Sequence, residues 1–359
     1  MRGVVSVSAH SILAPSSAAV WSQCPGSVLA SKAFAEAEEG EAARVGTAAH
    51  DAAASYITEV LGGKPAPEYV DESVEMYAQY VLGVARSGDC IVGVEERLEC
   101  SAIHPECFGT CDAYVYNHVD RVLHVFDYKH GRGPVEVKQN RQLIAYTSGI
   151  IQKVPEVEKV ILVIIQPRAF HKDGPIRKWE TTRGWIKNAT DALAKAAKEA
   201  TGPNPPTVSG SHCRYCRMRW ACPAAIEAGA SLYEAVGSYV PNSVDGEDIG
   251  ALYTVTLRAL KHLEYLSAGL SAEIEARIRS GESVGGYRLK PSKVRKSWAV
   301  PAEDVITLGE LSGVDVSKTD IVTPKQAADL GLEIPASYIK KESKMKLTEV
   351  NPAEVFGRK

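Results

Sequence analysis

Four cysteines constrain this chain more than any other feature of its sequence. Three of them are closely spaced, as Cys213-x2-Cys216-x5-Cys222, and Pro223 follows the third. The fourth, Cys24, is also followed by a proline and lies far upstream. Four thiolates arranged in this way can hold a [4Fe–4S] cluster, and the long gap predicts that the cluster clasps the two ends of the intervening segment.

Two other interpretations of the cysteines stay open. Structural zinc sites also begin with C-x2-C, but they usually supply a second close pair within a few tens of residues rather than one distant cysteine. Plain buried thiols are the third interpretation. Disulfides are disfavoured, because the amino terminus lacks the pattern of a secretory signal peptide and no apolar run approaches the length of a membrane span. We therefore expect a reducing compartment, the cytoplasm, and no membrane contact.

Length and charge limit the remaining possibilities. A chain of 359 residues predicts about two domains, and its 45% hydrophobic content is sufficient for a buried core. The net charge of −3 excludes a uniformly basic nucleic-acid coat protein. Local basic patches around an acidic metal site are compatible with this charge, so partners have to be inferred from individual segments.

The pattern of apolar residues predicts an α/β fold in which a central mixed sheet is flanked by helices. The expected helices begin after polar capping residues, and the expected strands alternate or, in the last case, form a continuous apolar run. The predicted helices cover residues 47–61, with Thr47 as the N-cap, 71–86, 139–153 and 182–200, and the predicted strands cover residues 91–99, 110–117, 121–129 and 159–166.

The second and third predicted strands form a hairpin that carries the candidate chemistry. If its turn is centred on residues 119–120, residues whose numbers sum to 239 face each other, and Asp112 and Asp127 meet this condition. Lys129 lies on the same face as Asp127, whereas Tyr128 points away and offers its backbone carbonyl. Because two facing carboxylates repel each other, the pair predicts a bound cation, and Mg²⁺ or Mn²⁺ prefers such oxygen ligands.

Simpler interpretations exist for the same residues. Asp112 alone could cap a turn, and Asp127 with Lys129 could form an exposed ion pair. The adjacent pair Glu95-Glu96 precedes the hairpin, and one of the two could approach the cation, but the spacing does not choose between them.

Three further cysteines, Cys100, Cys107 and Cys111, surround the same hairpin. Alternation along the strand predicts that Cys111 points away from Asp112, so a second metal site made of these thiols is disfavoured. We expect all three to be buried structural residues.

Four short motifs follow one another between the cysteines. They are Gly46-Thr-Ala-Ala-His50, Gly109-Thr-Cys-Asp112, Asp127-Tyr-Lys129 and Gln142-Leu-Ile-Ala-Tyr146. As a set they resemble the PD-(D/E)XK nuclease superfamily, and specifically its RecB-like branch with an iron–sulfur staple, which includes the AddB helicase–nuclease subunit and the CRISPR-adaptation exonucleases. The wording of the segments, with His10 to Ser17 included, is most similar to stand-alone phage and prophage proteins of unassigned function. The resemblance covers about residues 10–225.

The resemblance implies a role for each matching residue. It assigns the metal ion to four groups, namely His50, Asp112, Asp127 and the Tyr128 carbonyl. Lys129 would orient or deprotonate the attacking water and stabilise the developing charge on the phosphate. Gln142 and Tyr146, one helical turn apart, would position the DNA strand near the metal.

The chain changes character after the cysteine trio, and we predict a nuclease domain at residues 1–225 and a helical appendage at residues 226–359. A long amphipathic helix is expected over residues 248–279. Residues 287–298 hold five basic and two aromatic residues without a carboxylate, which predicts either a basic loop that binds DNA or a solvated surface. The candidate DNA contacts are Lys290, Lys293, Arg295 and Lys296. Beyond Lys340 we expect a flexible tail.

The expected function is metal-dependent exonucleolytic hydrolysis of DNA, on single strands or at DNA ends, in phage recombination or DNA processing. A [4Fe–4S] cluster, Mg²⁺ or Mn²⁺, the host cytoplasm and a partner such as an annealing protein belong to this expectation. Two other classes are alternatives: a non-catalytic DNA-binding or adaptor module, and an iron–sulfur redox or sensor protein. A pure binder has no need of Asp112, Asp127 and Lys129 together beside the phosphate path, and a lone cluster does not explain the hairpin.

Overall fold

The structure is a computed structural model of the chain. It describes residues 11–33, 41–67, 70–86, 88–216, 218–238, 246–291, 295–300, 302–316, 323–342 and 345–349. The chain divides into two compact units, Met1–Leu266 and Ser267–Lys359. Each unit is described by itself, and the boundary expected near residue 225 stays a prediction.

The first unit is an α/β structure. Its helices are α1 (Ala18–Trp21), α2 (Ser27–Ala33), α3 (Glu41–Leu61), α4 (Glu72–Ala85), α5 (Arg141–Lys153), α6 (Arg183–Ala200), α7 (Pro223–Gly237) and the first part of α8 (Gly246–Arg279). Its strands are β1 (Cys90–Glu99), β2 (Phe108–Asn117), β3 (Val122–Tyr128), β4 (Lys159–Ile165) and β5 (Ile176–Thr182).

The five strands form one mixed sheet in the order β1-β2-β3-β4-β5. The β3–β4 pair is parallel and the other neighbouring pairs are antiparallel. A parallel pair needs a crossover, and α5 lies in the segment that connects β3 to β4. The expectation of a mixed sheet flanked by helices is confirmed. The carboxyl ends of β3 and β4 lie at the same edge of the sheet, which we call the carboxyl edge.

Two apolar cores cover the two faces of the sheet. On one face, Leu123, Val125 and Leu162 pack with residues of α5 and α6. On the other face, Phe126 and Val163 pack with residues of α3 and α4. The alternation of β3 between the two cores fixes the face to which each side chain at the end of this strand belongs.

Polar caps determine where several helices begin. The Asp71 side chain accepts a hydrogen bond from Ser73 N at the start of α4, the Asn140 side chain caps α5, and the Thr182 side chain caps α6. The prediction that Thr47 caps the helix carrying His50 is wrong. This helix, α3, already begins at Glu41, and Thr47 Oγ1 donates to the Ala43 carbonyl at 3.2 Å from inside the helix.

Strand β5 and helix α7 are among the elements of the first unit that were not predicted. The edge strand β5 carries lysine, arginine and glutamate between its apolar residues, as expected for an edge strand protected from pairing with other chains. The same charges hide its alternation in the sequence. Helix α7 begins with Pro223 at its first position, directly after Cys222, so the proline that closes the cysteine motif also starts a helix.

The second unit combines helices with short strands. It contains the end of α8, α9 (Ala302–Ser312), α10 (Pro324–Asp329), β6 (Tyr287–Pro291), β7 (Arg295–Trp298), β8 (Ile339–Glu342) and β9 (Met345–Glu349). Strand β6 pairs with β9 and β7 pairs with β8. The expectation of a helical appendage with a basic loop is therefore wrong for the loop, because this unit contains helices but most of the basic segment forms strands. Part of the expected flexible tail is strand as well.

Candidate functional site

The hairpin register places Asp112 opposite Asp127. Ala113 pairs with Phe126 and Tyr114 with Val125, so the predicted sum of 239 is confirmed. Asp112 and Asp127 come directly after the last ladder pair. Beyond that pair, the Asp112 side chain replaces a backbone acceptor, since its Oδ2 accepts a hydrogen bond from Tyr128 N at 2.7 Å.

A histidine and a second carboxylate complete the arrangement around Asp112. His50 on α3 places its Nδ1 3.6 Å from Asp112 Oδ2 and 3.6 Å from Glu95 Oε1. One ligand atom from each of these three residues lies within 4.8 Å of the other two. Among the described residues this is the one group of three histidine, cysteine or acidic side chains with such close ligand atoms. These three residues together with Asp127 and Lys129 are called the carboxylate–histidine site.

The structure decides between the two adjacent glutamates. Glu95 faces His50, whereas Glu96 accepts a hydrogen bond from the Tyr114 hydroxyl at 2.7 Å and forms an ion pair with Lys153. A side chain at Gly93 would come within 2.1 Å of the Tyr114 ring, so the glycine lets this ring cross β1 and reach Glu96. This glycine two residues before Glu95 is the sequence signal that could have assigned the two carboxylates.

Glu95 has an unusual backbone conformation. Its φ of 45° lies in the left-handed region, which a residue with a side chain enters at a cost of about 1–3 kcal/mol. Val94 pairs with Ala113 and Glu96 with Cys111, while Glu95 itself leaves the ladder opposite Asp112. Strain of this kind at a point where two carboxylates meet indicates a functional constraint.

The regular alternation of β2 is interrupted at the same place. Cys111 packs in the core on the α5 side, together with Tyr114, although strict alternation would put the two residues on opposite faces. The next residue, Asp112, contacts His50 on α3 and not the core on the α5 side. Cys100, Cys107 and Cys111 are buried, as expected for structural cysteines.

Asp127 is the most deeply buried acidic residue of the site. Its side chain is 2% exposed, and the Lys129 ammonium lies 3.0 Å from Oδ1. Even so, neither carboxylate oxygen of Asp127 receives an aligned hydrogen bond in the described structure. We interpret the contact with Lys129 as an ion pair that leaves the lone pairs of Asp127 available. A buried carboxylate with unfilled lone pairs is costly unless another cation or donor satisfies it.

Charges of both signs shift the pKa values in the site. Burial and the neighbouring Asp127 carboxylate raise the pKa of Asp112 from 3.8 to about 7. Burial alone would lower the pKa of His50, but Glu95 and Asp112 outweigh it and raise this pKa. Burial likewise opposes the charge of Lys129, but Asp127 and Asp112 raise its pKa. The lysine is therefore charged at neutral pH.

Tyr128 belongs to the opposite side of β3. Its ring is buried in the α3–α4 core and stacks on Tyr77, with ring centroids 4.9 Å apart. The Tyr77 hydroxyl is buried without a hydrogen-bond partner, and burial followed by the Asp112 charge raises its pKa. The sequence analysis did not identify Tyr77 as a residue that packs on Tyr128. The expected metal contact of the Tyr128 carbonyl stays a prediction.

Helix α5 brings one of its two predicted residues to the site. Gln142 Oε1 accepts a hydrogen bond from Lys129 Nζ at 3.2 Å, so Gln142 orients the lysine. Tyr146 is only 4% exposed and packs in the core behind the site. Burial and the nearby Cys111 raise the pKa of the Tyr146 hydroxyl. The roles of both residues toward DNA stay predictions.

The structure also brings Cys24 to the distant cysteine trio. A backbone hydrogen bond joins the segment after Cys24 to the segment before the trio, since Gly26 N donates to the Pro206 carbonyl at 2.8 Å. A side chain at Gly26 would meet Thr207 Cγ2 at 2.6 Å, so this approach requires glycine. Val208 N donates to Cys24 Sγ at 3.4 Å. We call Cys24, Cys213, Cys216 and Cys222 the cysteine group.

Polar groups near Cys24 and Cys213 favour their thiolate forms. Gly210 N donates to Cys213 Sγ at 3.4 Å. Burial would raise the pKa values of Cys24 and Cys213, but His212 and backbone amide donors together outweigh it and lower both. In turn Cys213 and Cys24 raise the pKa of His212 to about 10. Since His212 Nδ1 is buried without an aligned hydrogen-bond partner, we interpret its effect on the thiols as electrostatic.

The predicted basic residues lie in the second unit. Lys290 is exposed on β6. Arg295 and Lys296 belong to β7, of which the structure describes the backbone, and Lys293 lies outside the described residues. Their contacts with DNA stay predictions.

Fold and site together define an α/β protein with a five-stranded mixed sheet and a candidate metal site at one edge. Residues 10–331 match the model of a family described as "Protein of unknown function (DUF2800)", and the chain belongs to this family. None of the described helices is both long and apolar enough to cross a membrane.

Proposed function

We propose that this protein is a metal-dependent DNA nuclease of the PD-(D/E)XK superfamily, in its RecB-like branch, and that it acts as an exonuclease. The observation that carries the proposal is the meeting of His50, Glu95 and Asp112 beside the Asp127–Lys129 pair. Each of these residues except Glu95 belongs to one of the four sequence motifs that resemble the nuclease superfamily. That resemblance was based on the motifs alone and did not use the distances between these residues.

The residues fit a hard divalent cation. Carboxylate oxygens are the ligands that Mg²⁺ and Mn²⁺ prefer, and one imidazole is acceptable to Mn²⁺. The raised pKa of Asp112 and the unfilled lone pairs of Asp127 both reflect negative charge that the protein itself does not neutralise. When bound, a divalent cation would supply Lewis-acid charge to a phosphate oxygen.

The side chains around the cation position have separate tasks. Asp127 and Gln142 hold the Lys129 ammonium from two sides, at 3.0 Å and 3.2 Å. A charged amine fixed in this way can donate a hydrogen bond to the attacking water or to a phosphate oxygen, where negative charge develops. Asp112 is itself held by a hydrogen bond from the Tyr128 amide, which keeps its carboxylate beside His50.

The cysteine group supports an iron–sulfur staple better than a zinc site. A tetrahedral zinc ion with Zn–S distances of about 2.3 Å would hold its sulfurs about 3.8 Å apart. No three of these thiols, all of which are described, have their sulfurs within 4.8 Å of one another. A [4Fe–4S] cluster separates its thiolates more widely, because iron and sulfide lie between them, and amide donors to thiolates are typical of such sites.

The biological setting is the remaining part of the proposal. The resemblance to stand-alone phage and prophage proteins supports action on single-stranded DNA or DNA ends in the cytoplasm of the host. Processing of such ends would supply single strands to a recombination partner such as an annealing protein.

The proposal is tested with anaerobically purified full-length chain and end-labelled DNA, single- and double-stranded, with Mn²⁺ or Mg²⁺. We expect progressive shortening of one labelled strand, which EDTA abolishes. Lys187→Ala, which changes an exposed lysine of α6, is the matched control for Lys129→Ala. DNA that stays intact with the wild-type chain under all metal conditions would contradict the proposal.

A further inference from the structure

One aromatic side chain at the carboxyl edge is exposed to solvent. Phe170 is 94% exposed, more than any other large apolar side chain among the described residues. It lies in the segment that connects β4 to β5, residues 166–175, which we call the β4–β5 loop. The structure describes this loop in full, and its other members are small, polar, charged or proline.

The loop begins where β4 ends, at the carboxyl edge. Lys129 N donates to the Ile165 carbonyl at 2.9 Å, so the backbone of the candidate catalytic lysine is bonded to the residue directly before the loop. The Arg168 guanidinium also contacts His130, the residue after Lys129.

A buried polar pair fastens the loop to the segment after Lys129. The Gln166 side chain accepts from Val135 N at 3.1 Å and donates to the Gly131 and Gly133 carbonyls, both at 2.8 Å. The Arg177 guanidinium donates to Gln166 Oε1 at 2.7 Å. Gln166 and Arg177 are 1% and 3% exposed, which makes this connection a fixed part of the core.

The tip of the loop is held as well. Gln166 N donates to the Pro175 carbonyl at 2.8 Å and closes the base of the loop. His171 Nδ1 accepts from Asp173 N at 3.1 Å, which leaves Nε2 to donate to Glu136 Oε1 at 3.2 Å. The residue next to Phe170 is thereby anchored, so the exposed ring is not part of a loosely held segment.

The charges beside Phe170 indicate what binds to it. Arg168 and Lys172 lie two residues before and two residues after Phe170 in the chain and are both exposed, and Arg132 is exposed on the segment that Gln166 fastens. An exposed aromatic residue with exposed cations in the same short segments matches a nucleic-acid strand, whose phosphates bind the cations while a base stacks on the ring. A protein partner would need a contiguous apolar patch, and Ala169, the apolar neighbour of Phe170, is buried.

We infer that Phe170 stacks on an unpaired nucleobase of the DNA strand whose phosphate occupies the carboxylate–histidine site. This inference rests on the proposed function and names a residue that would select unpaired DNA, since a base can cover the ring only at a single-stranded or frayed end. It makes Phe170 a substrate-positioning residue.

The test uses a single-stranded oligonucleotide with 2-aminopurine near its end and the full-length chain with Lys129→Ala, so that Mn²⁺ does not lead to cleavage. Phe170→Ala is expected to weaken binding by roughly 5- to 150-fold, the loss of one stacked base, and to abolish the fluorescence change of 2-aminopurine. Phe170→Trp is expected to retain both. Val119→Ala removes an exposed apolar side chain from the β2–β3 turn, at the other end of β3, and is expected to change neither.

Salt dependence separates stacking from charge. Phe170→Ala should leave the slope of log affinity against log salt unchanged, whereas Lys172→Gln should reduce it by about 0.7 if the lysine contacts one phosphate. Equal affinity and an unchanged 2-aminopurine signal for Phe170→Ala would overturn the inference alone. If the Lys129→Ala chain with Phe170 intact fails to bind and the wild-type chain leaves DNA uncut, the proposed function fails with it.

Discussion

The carboxylate–histidine site and the cysteine group lie in the same compact unit, but the chain assembles them in different ways. Regular strand pairing and one helix bring Asp112, Asp127 and His50 together, and each side chain has a defined neighbour. The cysteine group is assembled by closure between distant segments, through contacts such as Gly26 N with the Pro206 carbonyl. The first site should therefore keep its shape without its metal, whereas the second should depend on what it binds.

The largest expected effect separates chemistry from binding at the first site. Lys129→Ala removes the ammonium group that contacts Asp127 and Gln142, and we expect the single-turnover cleavage rate to fall at least about 100-fold. DNA affinity measured by fluorescence anisotropy should remain near that of the wild type. Cleavage at the wild-type rate by this variant would mean that the lysine has been misassigned.

The second effect tests whether the cysteine group staples the fold. Cys24→Ala or Cys213→Ala should abolish the brown colour of anaerobic protein and lower its melting temperature, by about 2–4 °C for each kcal/mol lost. Cys90→Ala, which changes a cysteine outside the group, is the control. Equimolar zinc without iron or sulfide in fresh wild-type protein would contradict the cluster.

A smaller effect distinguishes the two adjacent glutamates. Glu95→Gln should weaken Mn²⁺ binding at least about 10-fold in calorimetric titrations, because it removes a charged ligand next to His50. Glu96→Gln should leave Mn²⁺ affinity unchanged, since Glu96 is occupied by Tyr114 and Lys153. The reverse order of the two affinities would reject the assignment of Glu95.

The smallest effect concerns the backbone closure of the cysteine group. Gly26→Ala would force its new methyl group against Thr207 and should cost about 1–3 kcal/mol, with loss of bound iron although no thiol has changed. Gly83→Ala, inside α4 with open space around it, should stabilise the chain by up to about 1 kcal/mol. Equal iron content and stability in the Gly26→Ala variant would show that this contact does not hold the closure.

The comparison also explains what the sequence could predict. Strand alternation and turn position suffice to place Asp112 opposite Asp127, because the register of a short hairpin is a local property. Periodicity could not predict the role of Glu95, because this role depends on a left-handed backbone conformation, and Gly93 was the one local signal that pointed to it. The contact between Cys24 and Val208 is equally hidden, since it depends on closure between distant segments.

The start of α3 and the strands of the second unit were mispredicted for a different reason. Thr47 is a good capping residue by type, but residues 41–44, Glu-Ala-Ala-Arg, are strong helix formers, so the helix begins there and continues through Gly46 and Thr47. The basic segment around Lys290 contains few apolar residues, so its strands show little alternation, and pairing with β9 determines its structure.

The central claim is that the carboxylate–histidine site binds a divalent cation and uses it to cut DNA. The most direct measurement is a Mn²⁺ titration followed by electron paramagnetic resonance, with cleavage of end-labelled DNA measured in the same samples. The account predicts that cleavage rises with occupancy of a Mn²⁺ site in the wild-type chain, and that Asp112→Asn loses both together. Tight Mn²⁺ binding that Asp112→Asn leaves intact, or cleavage that proceeds without bound Mn²⁺, would contradict it.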